Sequence, residues 1–312
     1  MKNTFITVAL LMLAIISCKK KDDTVSIPPT TIYSTYSSID TIFTMLSLQP
    51  KVVSLLSDSG GSFYGNSGTR YIFKKSCFVD ASGATVTGNV QISVTEYLKK
   101  GDMIFSGVLP VSDGEPLISG GEINVTATKG GQEIFIKPGM TYSVNIPQSG
   151  SKDTVMSYFR GNTTGGSIAN KVNWKIPDSG KNREVYYTKD SLGILPDSLN
   201  YTNADRFLTN PDYQSFNVTV NASGTTINSN TLYTYALYDN YKGLWPLQNA
   251  STNVYSEHHV PNIPVHFVSF CLINGHFYGG VLGATPKTGS NYSISLTEVK
   301  PDDFKAQING LY

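Results

Sequence analysis

Glu257, His258 and His259 form the densest group of chemistry-bearing side chains in this chain. Adjacent residues on a strand point to opposite faces, so these two histidines share one metal ion only if a loop holds them. His266 and His276 flank an Asn274-Gly275 pair. As a two-residue hairpin turn, that pair sets Ile273 opposite His276 and leaves His266 far up the hairpin. All four histidines therefore read as ordinary exposed or hydrogen-bonded side chains, and no metal is expected. Glu96, Asp102, Glu115 and Glu122 lie close together in sequence, and carboxylates are what glycosidase pairs and calcium sites use. Nothing in their spacing brings two of them together, so they read as solvated groups at strand ends. The chain has no Gly-x-Ser-x-Gly elbow, His-Glu-x-x-His helix or phosphate loop. No catalytic residue and no cofactor is expected, and the chain is read as non-enzymatic.

Aromatic residues are the more informative class. There are 19 Tyr, 14 Phe and 2 Trp, with Tyr186-Tyr187, Tyr233, Tyr235, Tyr238, Tyr241 and Trp245 close together. Tyr and Trp stack on sugar or peptide surfaces, but they also favour strands and cores. Most are assigned to packing, with Trp245 and Tyr241 as the expected ligand platform. Glu257, His258 and His259 are expected to behave as surface residues, tolerant of substitution.

The elements that hold these residues are strands. Val90, Ile92 and Val94 alternate with Gln91, Ser93 and Thr95, and Phe216, Val218 and Val220 repeat the pattern. Turn chemistry falls between such runs, at Lys129-Gly130-Gly131-Gln132 and Ala222-Ser223-Gly224. Residues 39–48 fit either a strand or a short helix. Pro301 to Ile308, with Asp302 and Asp303 in the first turn and Asn309-Gly310 as the stop, reads as a helix. The expected fold is all-β: a signal peptide (1–17) and a lipidated stalk (18–48), then a β-sandwich domain (49–175), a connector (176–202), a second β-sandwich domain (203–312) and a short C-terminal helix.

The leader fixes the expected compartment. Lys2 precedes an unbroken apolar run over 5–16, closed by Ser17-Cys18, which is the layout of a secretory signal. The run is too short to span a bilayer. A cysteine at the cleavage point resembles the lipobox of bacterial lipoproteins, so Cys18 is expected to carry lipid, palmitate included. Lys21-Asp22-Asp23 resembles the signal that sends Bacteroidota lipoproteins across the outer membrane, which implies the cell-surface face. The Ser-, Thr- and Pro-rich residues that follow form a stalk. Lys and Arg total 24 against 23 Asp and Glu, a balance that excludes a nucleic-acid partner. Cys77 and Cys271 are far apart in sequence and read as inert buried thiols, the alternative being a bridge that ties the two domains together.

From about residue 60 onward the chain resembles a group of exported Bacteroidota proteins. The resemblance lies in Ser119-Gly120-Gly121-Glu122, in Lys137-Pro138-Gly139 leading to Val144-Asn145-Ile146-Pro147, and in Asn203-Ala204-Asp205-Arg206-Phe207. In the last segment Ala204 stands where the group has cysteine. The first half is similar to β-sandwich modules of the ZU5 or carboxypeptidase-regulatory type. Such modules are scaffolds, so the resemblance implies a non-catalytic lipoprotein of the outer membrane that binds a glycan or protein ligand or helps an assembly form. The alternatives are a carbohydrate-binding accessory protein and an enzyme with its site in an interdomain cleft.

Overall fold

The computed structural model describes residues 33–148, 153–165, 167–177 and 185–311. Cys18, the leader and the first part of the stalk lie outside the described residues. Where the sequence alternates, the chain is strand, and the fold is all-β with short helices, one of them C-terminal.

The first sheet runs in the order Lys51–Leu56, Asn89–Tyr97, Glu115–Lys129, Asn200–Phe207, Ser157–Thr163, Val172–Lys175. A second sheet lies on it, in the order Val185–Tyr187, Ser191–Ile194, Ser143–Pro147, Arg70–Phe73, Gly61–Tyr64. Ile92, Ile123 and Val125 of the first sheet meet Tyr71, Val144 and Ile146 of the second in one apolar layer, the packing of a β-sandwich. The 176–202 segment, read from composition as a connector, thus contributes strands Val185–Tyr187 and Ser191–Ile194 and the start of Asn200–Phe207.

The third sheet has eight strands: Leu244–Pro246, Tyr233–Tyr238, Val265–Ile273, His276–Ala284, Asn291–Glu298, Tyr213–Ala222, Val254–Pro261 and Asn249–Ser251. Its Asn274-Gly275 turn has both φ angles positive, 52° and 83°. Ile273 therefore pairs with His276, as the turn residues require. One face of this sheet, through Tyr235 and Phe270, shares a core with Phe159 and Trp174 of the first sheet. The described residues from Tyr33 onward form one compact unit.

Three helices close that core. Residues Ile39–Leu46, counted with the stalk in the sequence, are helical because Ile39, Ile42, Phe43 and Leu46 repeat at helical spacing and are buried together. Ser38 caps this helix, accepting from the Thr41 N–H at 3.2 Å. Lys305, on helix Pro301–Asn309, reaches Asp102 on helix Lys100–Ser106 at 2.8 Å and donates to the Leu46 carbonyl at 2.8 Å. One ammonium thereby joins three distant parts of the chain. Cys77 and Cys271 are free and buried in the two different cores. Burial pushes their thiols up to about 11 and about 12. Among the described residues no helix is long and apolar enough to cross a membrane.

Candidate functional site

Glu257 is 2% exposed, which corrects its reading as a tolerant surface residue. On strand Tyr213–Ala222, Gln214 pairs with Val260 and Phe216 with Glu257. One residue there, Ser215, opposes two on the partner strand, His258 and His259, so a bulge re-aims the side chains. The Glu257 Oε1 atom accepts from the N–H groups of His258 and His259, both at 2.7 Å, and lies 3.2 Å from His259 Nδ1. His258 turns away, its Nδ1 3.0 Å from Ser215 Oγ. The two histidines thus diverge.

His259 is the junction of an aromatic cluster. Its ring lies 5.1 Å from that of Trp245 and 5.9 Å, edge-on, from that of Tyr213. The Tyr213 hydroxyl donates to Glu115 at 3.1 Å, which carries the cluster from the third sheet to the first. Burial and this bond to Glu115 both hold the Tyr213 proton above the ordinary tyrosine value. Beneath lies Tyr238. Burial first, and then the nearby Tyr213, Glu257 and Glu115, raise its hydroxyl well above that value. Three buried atoms here have no protein partner: Glu257 Oε2, the Tyr238 hydroxyl and Trp245 Nε1. Such groups are uncommon and call for an explanation. These three atoms, two donors and one acceptor, are closed to solvent, and the surface above them carries the half-buried His259 and Tyr213 with the exposed Glu115.

The two residues expected to form an exposed platform are placed differently from each other. Trp245 is 3% exposed and walls the cluster from strand Leu244–Pro246, opposite Ala236. Tyr241 is 38% exposed, with the Arg206 guanidinium 5.6 Å above its ring. Its partner Arg206 is itself paired with Asp153. Trp245 stood out in the sequence by its residue type, Tyr238 read as a packing aromatic, and Tyr213 carried no local signal.

The remaining histidines are paired singly. His266 Nδ1 lies 2.6 Å from Asp239, and His276 Nδ1 lies 2.5 Å from Glu298. Among the described residues, no group of three or more His, Cys, Asp or Glu is placed to hold a metal.

The carboxylates read as solvated are mostly not. Glu96 is buried and accepts from the Ser67 and Thr69 N–H groups at 2.7 and 3.1 Å, fixing the 65–69 loop. Glu122 is fully buried beside Asp205, also fully buried. The two motifs Ser119-Gly120-Gly121-Glu122 and Asn203-Ala204-Asp205 meet here on adjacent strands, with Asn203 opposite Glu122 and Asp205 opposite Ser119. Gly120 is required by close approach, since a Cβ there would sit 2.5 Å from the Ala204 carbonyl oxygen. Asn203 donates to Asp205 Oδ2 at 2.8 Å. Burial pushes Asp205 up to about 8, opposed by hydrogen bonds from Ser119, Gly120 and Asn203. Burial and the charge of Asp205 raise Glu122 well above the carboxylate range. Two carboxylates this deep cannot reach a substrate, so their chemistry is proton retention inside the fold.

No family model matches the chain, and no curated protein matches it. Among solved structures it overlaps the Bacillus anthracis TIE protein, with 8% sequence identity over 81% of this chain and 41% of that one, at a TM-score of 0.20. The chain thus spans less than half the length of that structure, and an overlap this loose defines no shared fold.

Proposed function

We propose that the chain is a non-catalytic binding or assembly module of the bacterial outer membrane, anchored by lipid on Cys18 and exposed on the cell face. The observation that carries this reading is the cluster of His259, Tyr213 and Trp245 rings with the exposed Glu115 carboxylate at the surface above Glu257. A ligand that brings hydrogen-bond donors to the exposed Glu115 carboxylate and a cation to the rings complements this cluster. A lysine or arginine side chain of a partner protein does both. The apolar leader ending in Ser17-Cys18, the Lys-Asp-Asp tether and the resemblance to exported Bacteroidota proteins support the location.

Calorimetric titration with tri-lysine and tri-arginine amides tests the binding reading, with tri-glutamate as control. The cationic peptides are expected to bind with Kd of about 1 mM, as befits a small fragment of an interface. Glu115→Gln combined with Tyr213→Phe weakens that binding at least about fivefold. Equal heats from tri-glutamate, or binding indifferent to the two substitutions, would remove the reading.

A carbohydrate-binding accessory role is the second reading. It is favoured by a separate feature of the first sheet, a groove with no charged lining.

A further inference from the structure

Three neighbouring strands of the first sheet, Glu115–Lys129, Asn200–Phe207 and Ser157–Thr163, enclose a groove of about 470 Å³ lined by Asn124, Gly161, Asn162, Thr163, Asn200 and Tyr201. That volume lies within the range of small-molecule sites. Its shape follows from Gly161. A Cβ at this position would lie 2.5 Å from Tyr201 Cβ, 2.5 Å from Val172 and 2.9 Å from the Trp174 ring. Glycine therefore lets Tyr201 and Trp174 close beneath the groove, where they meet edge-on at 6.2 Å. Tyr97 stacks on the other side of Tyr201 at 6.5 Å. The aromatic floor is thus fixed by packing on both sides.

Above that floor the lining is polar and neutral. Tyr201 pairs with Asn124 across the strands, and Asn124 Oδ1 is buried without a protein partner. Asn162, Thr163 and Asn200 are exposed at the mouth. Each asparagine amide both donates and accepts, and threonine does the same. An ionic ligand would find no opposite charge among these six residues. A ligand carrying many hydroxyl groups and one apolar face would find paired donors and acceptors over an aromatic ring.

We propose that this groove is a carbohydrate-binding subsite for a neutral mono- or disaccharide unit, held by Asn124 beside the ring of Tyr201, with the exposed amides of Asn162 and Asn200 at its mouth. The proposal rests on the carbohydrate reading above, but on none of the residues around Glu257. Two independent surfaces on one anchored chain suit a module that links a cell-surface glycan to a protein.

The test is nuclear magnetic resonance titration of the folded chain with glucose, galactose, mannose, N-acetylglucosamine, maltose and cellobiose, with glucuronate as the charged control. At least one neutral sugar is expected to shift the side-chain amide signals of Asn124, Asn162 and Asn200 at about 10 mM, a concentration suited to weak single-unit binding. Asn162→Ala and Asn200→Ala replace exposed side chains, and each is expected to weaken that sugar about tenfold. The groove is refuted if no sugar of the panel moves those signals, or if glucuronate moves them more than every neutral sugar. It is also refuted if sugar binding survives both substitutions and is lost instead in His259→Ala. Tri-lysine binding that persists while every sugar fails removes this inference and leaves the Glu257 reading standing.

Discussion

Glu122 and Asp205 are two fully buried carboxylates brought within each other's field by one bulge, because the step from Asp205 to Asn203 is matched by a longer step from Ser119 to Glu122 on the adjacent strand. The extra residue lies in Gly120-Gly121, where Gly121 has φ of 142° and Gly120 has no room for a side chain. Like charges in so apolar a place cannot both be expressed near neutrality. The native state therefore keeps a proton that the unfolded chain releases.

Stability is expected to fall as pH rises. Both groups have folded values above the ordinary carboxylate range of about 4. Their contribution is fully present below that range and is lost as pH climbs towards the folded value, about 8 for Asp205. Each retained proton gives a slope of up to about 1.4 kcal/mol per pH unit in this window. Glu122→Gln is neutral at every pH and lowers the cost of ionising Asp205. Urea unfolding from pH 4.5 to 9 should show the variant near wild type at the acid end and more stable at pH 8. A wild-type curve that is flat or rises across this window, or an equal slope in the variant, would contradict the dyad.

Glu257→Ala is expected to destabilise by about 1–3 kcal/mol, because it strands the two N–H groups of His258 and His259 that the carboxylate now satisfies. His258→Ala removes a ring bonded only to Ser215 Oγ and should stay within about 0.5 kcal/mol. Denaturant midpoints of the two variants decide this. Equal, small effects would mean that Glu257 is solvated after all.

The strands and the Asn274-Gly275 hairpin were legible because their signals are local: alternation, turn residues and a fixed register. The helix Ile39–Leu46 was half legible, since the spacing of Ile39, Ile42, Phe43 and Leu46 was present but short. The buried polar sites were not legible. Glu122 meets Asp205 only through a bulge, and Glu257, buried in step with Tyr255, is followed by a second bulge that turns the His258 and His259 N–H groups onto its carboxylate; both bulges are set by pairing between residues distant in sequence. In the same way, the parallel pairing of Tyr213–Ala222 with Asn291–Glu298 has no local signature. The groove was hidden for another reason: Asn124, Gly161 and Asn200 each read as unremarkable strand or turn residues until the sheet order sets them side by side.

Trp245 and Tyr241 should separate cleanly. Trp245→Ala opens a cavity in the core that also holds Phe216 and Tyr238, and is expected to cost about 3–5 kcal/mol. Tyr241→Ala loses a half-exposed ring and its contact with Arg206, for about 0.5–1 kcal/mol. Thermal unfolding of both variants checks the contrast. A Trp245→Ala protein as stable as Tyr241→Ala would return Trp245 to the surface.

Cys18→Ser tests the anchor independently of either binding surface. The substitution removes the sulfur that lipid would modify while leaving the apolar run over 5–16 intact, so export continues and anchoring does not. Stable attachment needs more than one acyl chain, since a single chain holds only marginally. Fractionated cells should show wild-type protein in the outer membrane, and Cys18→Ser protein either soluble or unprocessed. Protease added to intact cells should degrade the wild-type protein if the Lys-Asp-Asp tether directs it to the outer face. Unchanged membrane fractionation of Cys18→Ser would remove the lipid anchor. Protection from protease with intact fractionation would move the module to the periplasmic face.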